Sequence, residues 1–307
     1  MLRRWLGLLA AVLVTACSAG PSGPPFINLS NLEPLPAEEP SEVIPLRVAV
    51  AAVISPKGTA ESYQPLLDYL SAQLNRPVEL VQRRTYAEIN DLIENGFVDL
   101  AFVCTSAYVA GRDKFGMELL AAPQVNGETV YYSLLIVPRD SPAQSMADLR
   151  GAVFAFTDPM SNSGRVYPTY LVKQLGSTPE QFFARTFFTY SHDDAIRAVA
   201  AGLADGAAVD SLVYDFNISR DPALGEKTRL IHRSPPFGIP PVVVSPHMRP
   251  QLKAELQALL LGIADEAQRD PRVRDALRAI GIDRFVSIDD SAYDSVRELL
   301  NAVGALE

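Results

Sequence analysis

Laid against itself at an offset of 106 residues, the chain superposes one strand, loop and helix plan on another without a gap. The apolar run from Leu46 to Val53 falls on Ala152 to Pro159, and Ser55 to Gly58 falls on Ser161 to Gly164. Further on, Thr85 and Glu88 meet Ser191 and Asp194, Gly96 meets Gly202, Asp99 meets Asp205, Val103 meets Val209, and Tyr108 meets Tyr214. Identities between the copies are few, so the weight lies on matched element boundaries. A continuous apolar run is what a parallel strand buried on both faces requires. Thr85 and Glu88 form a capping box, Ile89, Leu92 and Ile93 an apolar stripe, and Gly96 a stop, which predicts a helix between them. The helix after the first strand carries Tyr63, Leu66, Leu67, Leu70 and Leu74 on one face; because proline is tolerated only in a first turn, Pro65 places its start close to Ser62.

Strands alternating with helices imply an α/β fold with mixed, mostly parallel sheets flanked by helices, and duplication implies two lobes with a ligand cleft between them. The spans expected are 44–136 and 237–307 for lobe 1 and 137–236 for lobe 2, the chain returning after Pro235 through a Pro-rich strand, Ile239 to Ser245, and a helix from about Arg249 to Gln268. Such sheets bind ligands beyond the carboxyl ends of their strands. Those ends are Ser55 to Gly58, Cys104 to Tyr108, Ser161 to Gly164 and Asp210 to Tyr214, which two facing lobes would bring together.

The amino terminus predicts export. Arg3 and Arg4 precede a short apolar stretch, Trp5 to Val14, too brief to span a bilayer, and then small residues, the pattern of a secretory signal over 1–16. Val14-Thr15-Ala16-Cys17 resembles a bacterial lipobox, which implies lipidation of Cys17. Residues 17–43, rich in Pro, Ser and Glu, are expected to be a disordered tether, placing the protein in the periplasm or at the cell surface, anchored to the membrane by lipid. The formal charge of −9 becomes more negative once Arg3 and Arg4 are removed, which argues against a nucleic-acid partner.

The segment Thr157-Asp158-Pro159-Met160-Ser161-Asn162-Ser163-Gly164 carries a strand end into a helix through hydroxyl-bearing and small residues. Free amides at a helix amino terminus, with serine hydroxyls beside them, suit an oxyanion without a cationic side chain; an ordinary serine cap is the alternative reading. No clustered metal ligands, nucleophile elbow or nucleotide phosphate loop accompanies it, so no enzyme activity, cofactor or metal is expected. His232 and His247 stand isolated and read as surface residues.

This loop resembles that of the phosphate-, phosphite- and phosphonate-binding proteins of ABC transporters. So do Tyr63 to Leu70, Val98 to Val103, Ser191 to Ala195 and Val209 to Tyr214. The resemblance implies a type II periplasmic-binding fold that closes on a small phosphorus oxyanion and delivers it, as a monomer, to an ABC permease and ATPase in the inner membrane. It also implies a binding set of Tyr63, Thr105, Ser106, Tyr108, Ser161, Asn162, Ser163, Gly164, His192 and Asp210. His192 would donate one proton as the neutral imidazole or two as the cation, and Asp210 would accept from a ligand hydroxyl or ammonium. Cys104, beside the expected cleft, keeps open an alternative: an oxyanion sensor for phosphate or arsenite that signals to a histidine kinase.

Overall fold

The computed structural model describes residues 43–304. The signal, Cys17 and the tether lie, apart from Val43, outside the described residues. In chain order the elements are β1 (Leu46–Val50), α1 (Pro56–Leu74), β2 (Val78–Val81), α2 (Tyr86–Glu94), β3 (Leu100–Phe102), α3 (Thr105–Phe115), β4 (Glu118–Gln124), β5 (Val130–Tyr131), β6 (Ser133–Pro138) and β7 (Val153–Phe156). A π-helical turn (Asn162–Val166) then runs into α4 (Tyr167–Gln174), followed by α5 (Pro179–Phe182), β8 (Arg185–Phe188), α6 (His192–Ala200), β9 (Gly206–Asp210), α7 (Ser211–Arg220), α8 (Pro222–Lys227) and β10 (Thr228–Arg233). The chain closes with β11 (Phe237–Gly238), β12 (Val242–Val244), α9 (Pro250–Arg269), α10 (Pro271–Ile280), β13 (Arg284–Val286) and α11 (Asp294–Val303).

Two sheets organise these elements. The first has the order β13-β4-β12-β3-β1-β2 and the second β10-β6-β9-β7-β8. Within each, the repeated strands pair in parallel, β1 with β2 and β3, and β7 with β8 and β9. Strands outside the repeat add antiparallel pairs at β12 and β13 in the first sheet and at β6 and β10 in the second. The antiparallel share exceeds what the repeat alone implies, because every strand that enters or leaves a lobe joins in that sense. The chain crosses between sheets twice, and the two crossings pair with each other as β5 and β11. Since all of β6 lies in the second sheet, the first crossing falls before Ser133, not after residue 136.

The offset seen in the sequence recurs bond for bond. Helices α2 and α6 begin one residue after Thr85 and Ser191, whose hydroxyls accept from the Glu88 and Asp194 amides. The Asp99 carboxylate accepts from the Arg47 amide at 2.8 Å, and the matching Asp205 carboxylate accepts from Val153 at 2.7 Å. Gly96 and Gly202 both take φ near +70°, a conformation that favours glycine at a helix stop.

One boundary differs. Helix α1 starts at Pro56 and continues through Pro65, instead of starting near Ser62. The carbonyl that Pro65 leaves without a donor belongs to Glu61, an exposed residue, so water can satisfy it and the helix need not break. The apolar faces pack into separate cores: Leu46, Val48, Leu66, Leu256 and Leu260 lie under the first sheet, and Phe154, Phe156, Phe182 and Phe183 under one face of the second. Among the described residues no helix is long and apolar enough to cross a membrane.

Candidate functional site

The lobes meet where β1, β3, β7 and β9 end. The His192 amide donates to the Val53 carbonyl at 2.9 Å, the Ser55 amide to the Asp193 carboxylate at 2.8 Å, and the Tyr86 amide to the Asp158 carboxylate at 3.1 Å. Ser106 closes a fourth link by donating its hydroxyl to the Met160 carbonyl. Each link joins an element of one sheet to an element of the other, so the structure is a closed form.

Inside this seam, Ser161, Asn162, Ser163 and His192 are all at most 1 % exposed. Ser161 caps the helix that starts at Asn162, its Oγ accepting from the Gly164 amide at 3.0 Å. The same Oγ lies 3.3 Å from His192 Nε2, while His192 Nδ1 accepts from the Asp210 amide at 3.0 Å. An N–H must donate, so Nδ1 carries no hydrogen and Nε2 does. Nε2–H therefore donates to Ser161 Oγ, and the Ser161 hydroxyl, with both acceptor positions taken, is left with its own proton to give. Burial pushes the imidazole pKa down to about 3, which keeps it neutral. Of the two donation modes expected for His192, the two-proton mode is excluded by the Asp210 amide, and its one proton is already committed to Ser161. Histidine thus bonds serine.

Four buried polar atoms at this seam have no hydrogen-bond partner among the described residues: Tyr86 Oη, Thr157 Oγ1, Asn162 Oδ1 and Ser163 Oγ. Leaving a buried donor or acceptor unpaired costs about 1–3 kcal/mol each, so such groups call for a bonding partner. The Asn162 amide nitrogen donates to Tyr131 Oη at 2.9 Å. Turned over, the amide would instead accept from that hydroxyl and place its NH2 where the unpartnered Oδ1 now stands. Gly164 is required by contact, because a Cβ there would stand 1.9 Å from Thr157 Oγ1.

Among the described residues no cationic side chain bonds Ser161, Asn162, Ser163 or His192; Arg197 reaches the seam at its edge, on the Asp193 carboxylate at 2.7 Å. Arg165, the nearest in sequence, turns its guanidinium over the Phe156 ring, 4.3 Å from its centroid, and reaches Glu180 at 3.7 Å. Asp210 caps α7, its Oδ1 accepting from the Leu212 and Val213 amides, and burial raises its pKa to about 7 despite those bonds. Burial raises the Cys104 thiol as well, although the Asn162 and Ser106 amides donate toward its sulfur. It is a free, buried thiol, held as the protonated form.

The remaining expected residues divide. Thr105 sits at the seam but donates to the Gly238 carbonyl at 3.0 Å, and Ser106 is spent on Met160. Tyr108 turns its hydroxyl away, donating to Asp290 at 2.5 Å, so its proton is not open to an anion. Tyr63 packs edge-on against Phe102 and lines a neighbouring, mostly apolar cavity. His232 bonds Tyr167 Oη at 2.8 Å and His247 bonds the Glu94 carbonyl at 3.0 Å, both apart from the seam.

Tyr86, Tyr131 and Thr157 were not anticipated. A signal for Tyr86 was present: the same 106-residue offset carries Tyr86 onto His192, as it carries Cys104 onto Asp210 and Ser55 onto Ser161. Each lobe therefore offers the first residue of one helix, the cap of the next, and a serine after its first strand.

A protein-family profile described as ABC transporter, phosphonate, periplasmic substrate-binding protein matches residues 48–293. The phosphate-import protein PhnD of Mycolicibacterium smegmatis is 26 % identical over 96 % of this chain and 94 % of its own length. Among solved structures, a binding component of an ABC phosphonate transporter from Pseudomonas aeruginosa superposes with a TM-score of 0.76 at 23 % identity, covering 83 % of this chain and 84 % of that one. PhnD1 of Prochlorococcus marinus in complex with methylphosphonate superposes with a TM-score of 0.75 at 19 % identity, over 83 % and 97 %. At these identities the superpositions establish the fold, the two-lobe type II periplasmic-binding architecture.

Proposed function

Because this chain belongs to the periplasmic substrate-binding proteins of ABC phosphonate transporters, we propose that its seam captures phosphate, phosphite or a phosphonate by the phosphorus oxyanion and presents the closed form to a permease and its ATPase. The observation that carries this reading is the set of unpaired buried groups, Tyr86 Oη, Ser163 Oγ and Asn162, gathered round the helix start that Ser161 caps. Hydroxyl donors and free first-turn amides stabilise a negative oxygen with fixed dipoles and need no counter-charge. Their lack of protein partners is what an oxyanion would remedy.

In this reading Ser161 and Ser163 donate to the anion, with Ser161 held in place by His192. Asn162 turns its NH2 inward, Tyr86 reaches across from the first lobe, and Asp210 accepts from a protonated ligand oxygen. Thr105, Ser106 and Gly164 shape the seam; Tyr63 and Tyr108 stand outside this set. Cys17 tethers the protein to the membrane by lipid, and the domain works as a monomer.

The test is titration calorimetry of ligand-free protein with phosphate, phosphite and methylphosphonate. At least one is expected to bind and to raise the thermal midpoint by linkage. Ser161→Ala combined with Ser163→Ala is expected to weaken it by more than about 100-fold, since hydrogen bonds to a charged group contribute about 1.5–3 kcal/mol each. Silence from every phosphorus oxyanion would sink the reading.

A further inference from the structure

Beside the polar seam lies a cavity of 480 Å³ that the oxyanion chemistry does not use. Its floor is buried: Ala51 and Ile239 are fully inaccessible, and Asp210 is 3 % exposed. Its walls come from both lobes, Phe102 and Ile282 on one side and Val213 and Phe216 on the other, and it opens to solvent past Ser219. The lining contains no lysine, arginine or histidine, and most of it is carbon.

Asp210 belongs to the cavity and to the seam at once. Its amide holds His192 in place, and the same residue, capping α7 with Oδ1, forms part of the cavity floor. The cavity therefore begins where the oxyanion group ends. Phosphate or methylphosphonate has only about five heavy atoms, whereas pockets that enclose a ligand several times larger run from roughly 300 to 1,000 Å³. A space of this size with mostly carbon walls favours an occupant that removes apolar surface from water.

Resting on the oxyanion reading above, we infer that the preferred ligand is a phosphonate or phosphate monoester with a sizeable apolar substituent, such as an aryl or a butyl-length alkyl group, that occupies this interlobe cavity. The head would sit at Ser161, Ser163 and Tyr86, and the substituent would pass Asp210 to rest between Phe102 and Phe216. Selectivity would then have two parts: the seam requires the oxyanion, and the cavity rewards the carbon attached to it.

The experiment is calorimetric titration of the ligand-free protein with inorganic phosphate, methylphosphonate, n-butylphosphonate and phenylphosphonate. Either of the two larger ligands is expected to bind at least tenfold tighter than methylphosphonate. Ala279→Trp, on the cavity wall in α10, and Ser219→Trp, at the exposed mouth in α7, should each remove most of that gain while leaving the affinity for phosphate or methylphosphonate within about twofold. The two sites are on different lobes and one is exposed, so a folding defect in one variant does not decide the outcome. Binding of phosphate or methylphosphonate with no gain for the larger ligands would overturn the inference and leave the oxyanion reading standing. A gain that survives both tryptophans would also overturn it, because the substituent would lie elsewhere. If no ligand of the series binds, the oxyanion reading itself fails and this inference with it.

Discussion

The two lobes share one plan yet differ at two of the three matched positions that face the seam. In the first lobe the positions hold Ser55, Tyr86 and Cys104; in the second they hold Ser161, His192 and Asp210. Ser55 precedes a helix that opens with Pro56 and caps it with no side-chain bond, and the start of that helix is exposed. Ser161 precedes a helix whose first five residues are buried, and its hydroxyl is bonded on two sides. In the proposed function the second lobe is therefore a preorganised grip, with imidazole, hydroxyl and amide locked in one chain of hydrogen bonds. The first lobe brings a tyrosine hydroxyl that no group among the described residues satisfies. Duplication supplied the frame, and divergence at two of the matched positions divides the work, in the proposed function, between holding and closing.

The largest effect that would test this division is on stability against pH, because His192 and Asp210 oppose each other within one lobe. Burial lowers His192 to about 3, so the unfolded chain takes up a proton there that the folded one refuses, and stability is lost as pH falls from about 6.5. Asp210, raised to about 7, keeps a proton that the unfolded chain has released, so its contribution is complete below about pH 4 and is lost as pH climbs through 7. Asp210→Asn should leave the histidine trend alone, with stability rising between pH 4 and 6.5. His192→Gln should leave the aspartate trend, with stability falling over the same window. Denaturant melts at half-unit pH intervals would show slopes of opposite sign, on the order of 2 kcal/mol across the window. Slopes of the same sign would mean that the two groups are not desolvated as the closed seam requires.

Tyr86→Phe separates holding from closing. Removing a hydroxyl with no partner should leave the ligand-free protein as stable as before or about 1 kcal/mol more stable, and should weaken oxyanion binding by about 10-fold or more. Calorimetry beside thermal melts reads both. Unchanged affinity would remove the first lobe from the grip and leave anion binding to the second lobe alone.

The smallest effects test the symmetry of the frame. Asp99→Ala and Asp205→Ala remove carboxylates that accept from the starts of β1 and β7, and each should cost about 1–2 kcal/mol in urea unfolding. Asp99→Ala is expected to cost the more, because Asp99 also receives the Arg47 guanidinium at 3.2 Å whereas Asp205 has the amide bond alone among side-chain contacts. Equal costs would show that the half-buried ion pair adds nothing, as exposed pairs often do not.

Periodicity and capping residues made the frame legible. Thr85, Ser191, Gly96 and Gly202 determine helix limits through bonds made within a few residues, so their effect can be read along the chain. The loop at Ser161 was legible for the same reason. Tyr63 and Tyr108 were not, since a tyrosine hydroxyl lies far from its backbone and goes where the ring packs: Tyr108 packs edge-on to Tyr293 and so delivers its proton to Asp290. Asp290 is far along the chain, and no local pattern announces it. Helix α1 ran through Pro65 because the freed carbonyl faces solvent, which depends on the orientation of the whole helix.

By itself, then, the sequence determined two α/β units at a constant offset, a hydroxyl-rich helix start suited to an oxyanion, and the family to which these belong. Tertiary structure alone decided which hydroxyls are free to donate, that His192 is neutral and serves Ser161, that Tyr86 completes the seam from the opposite lobe, and that an apolar cavity adjoins it. The reason is reach. Backbone bonds that make helices and strands join neighbours in sequence, whereas a side chain at the seam answers to whichever group the other lobe sets against it.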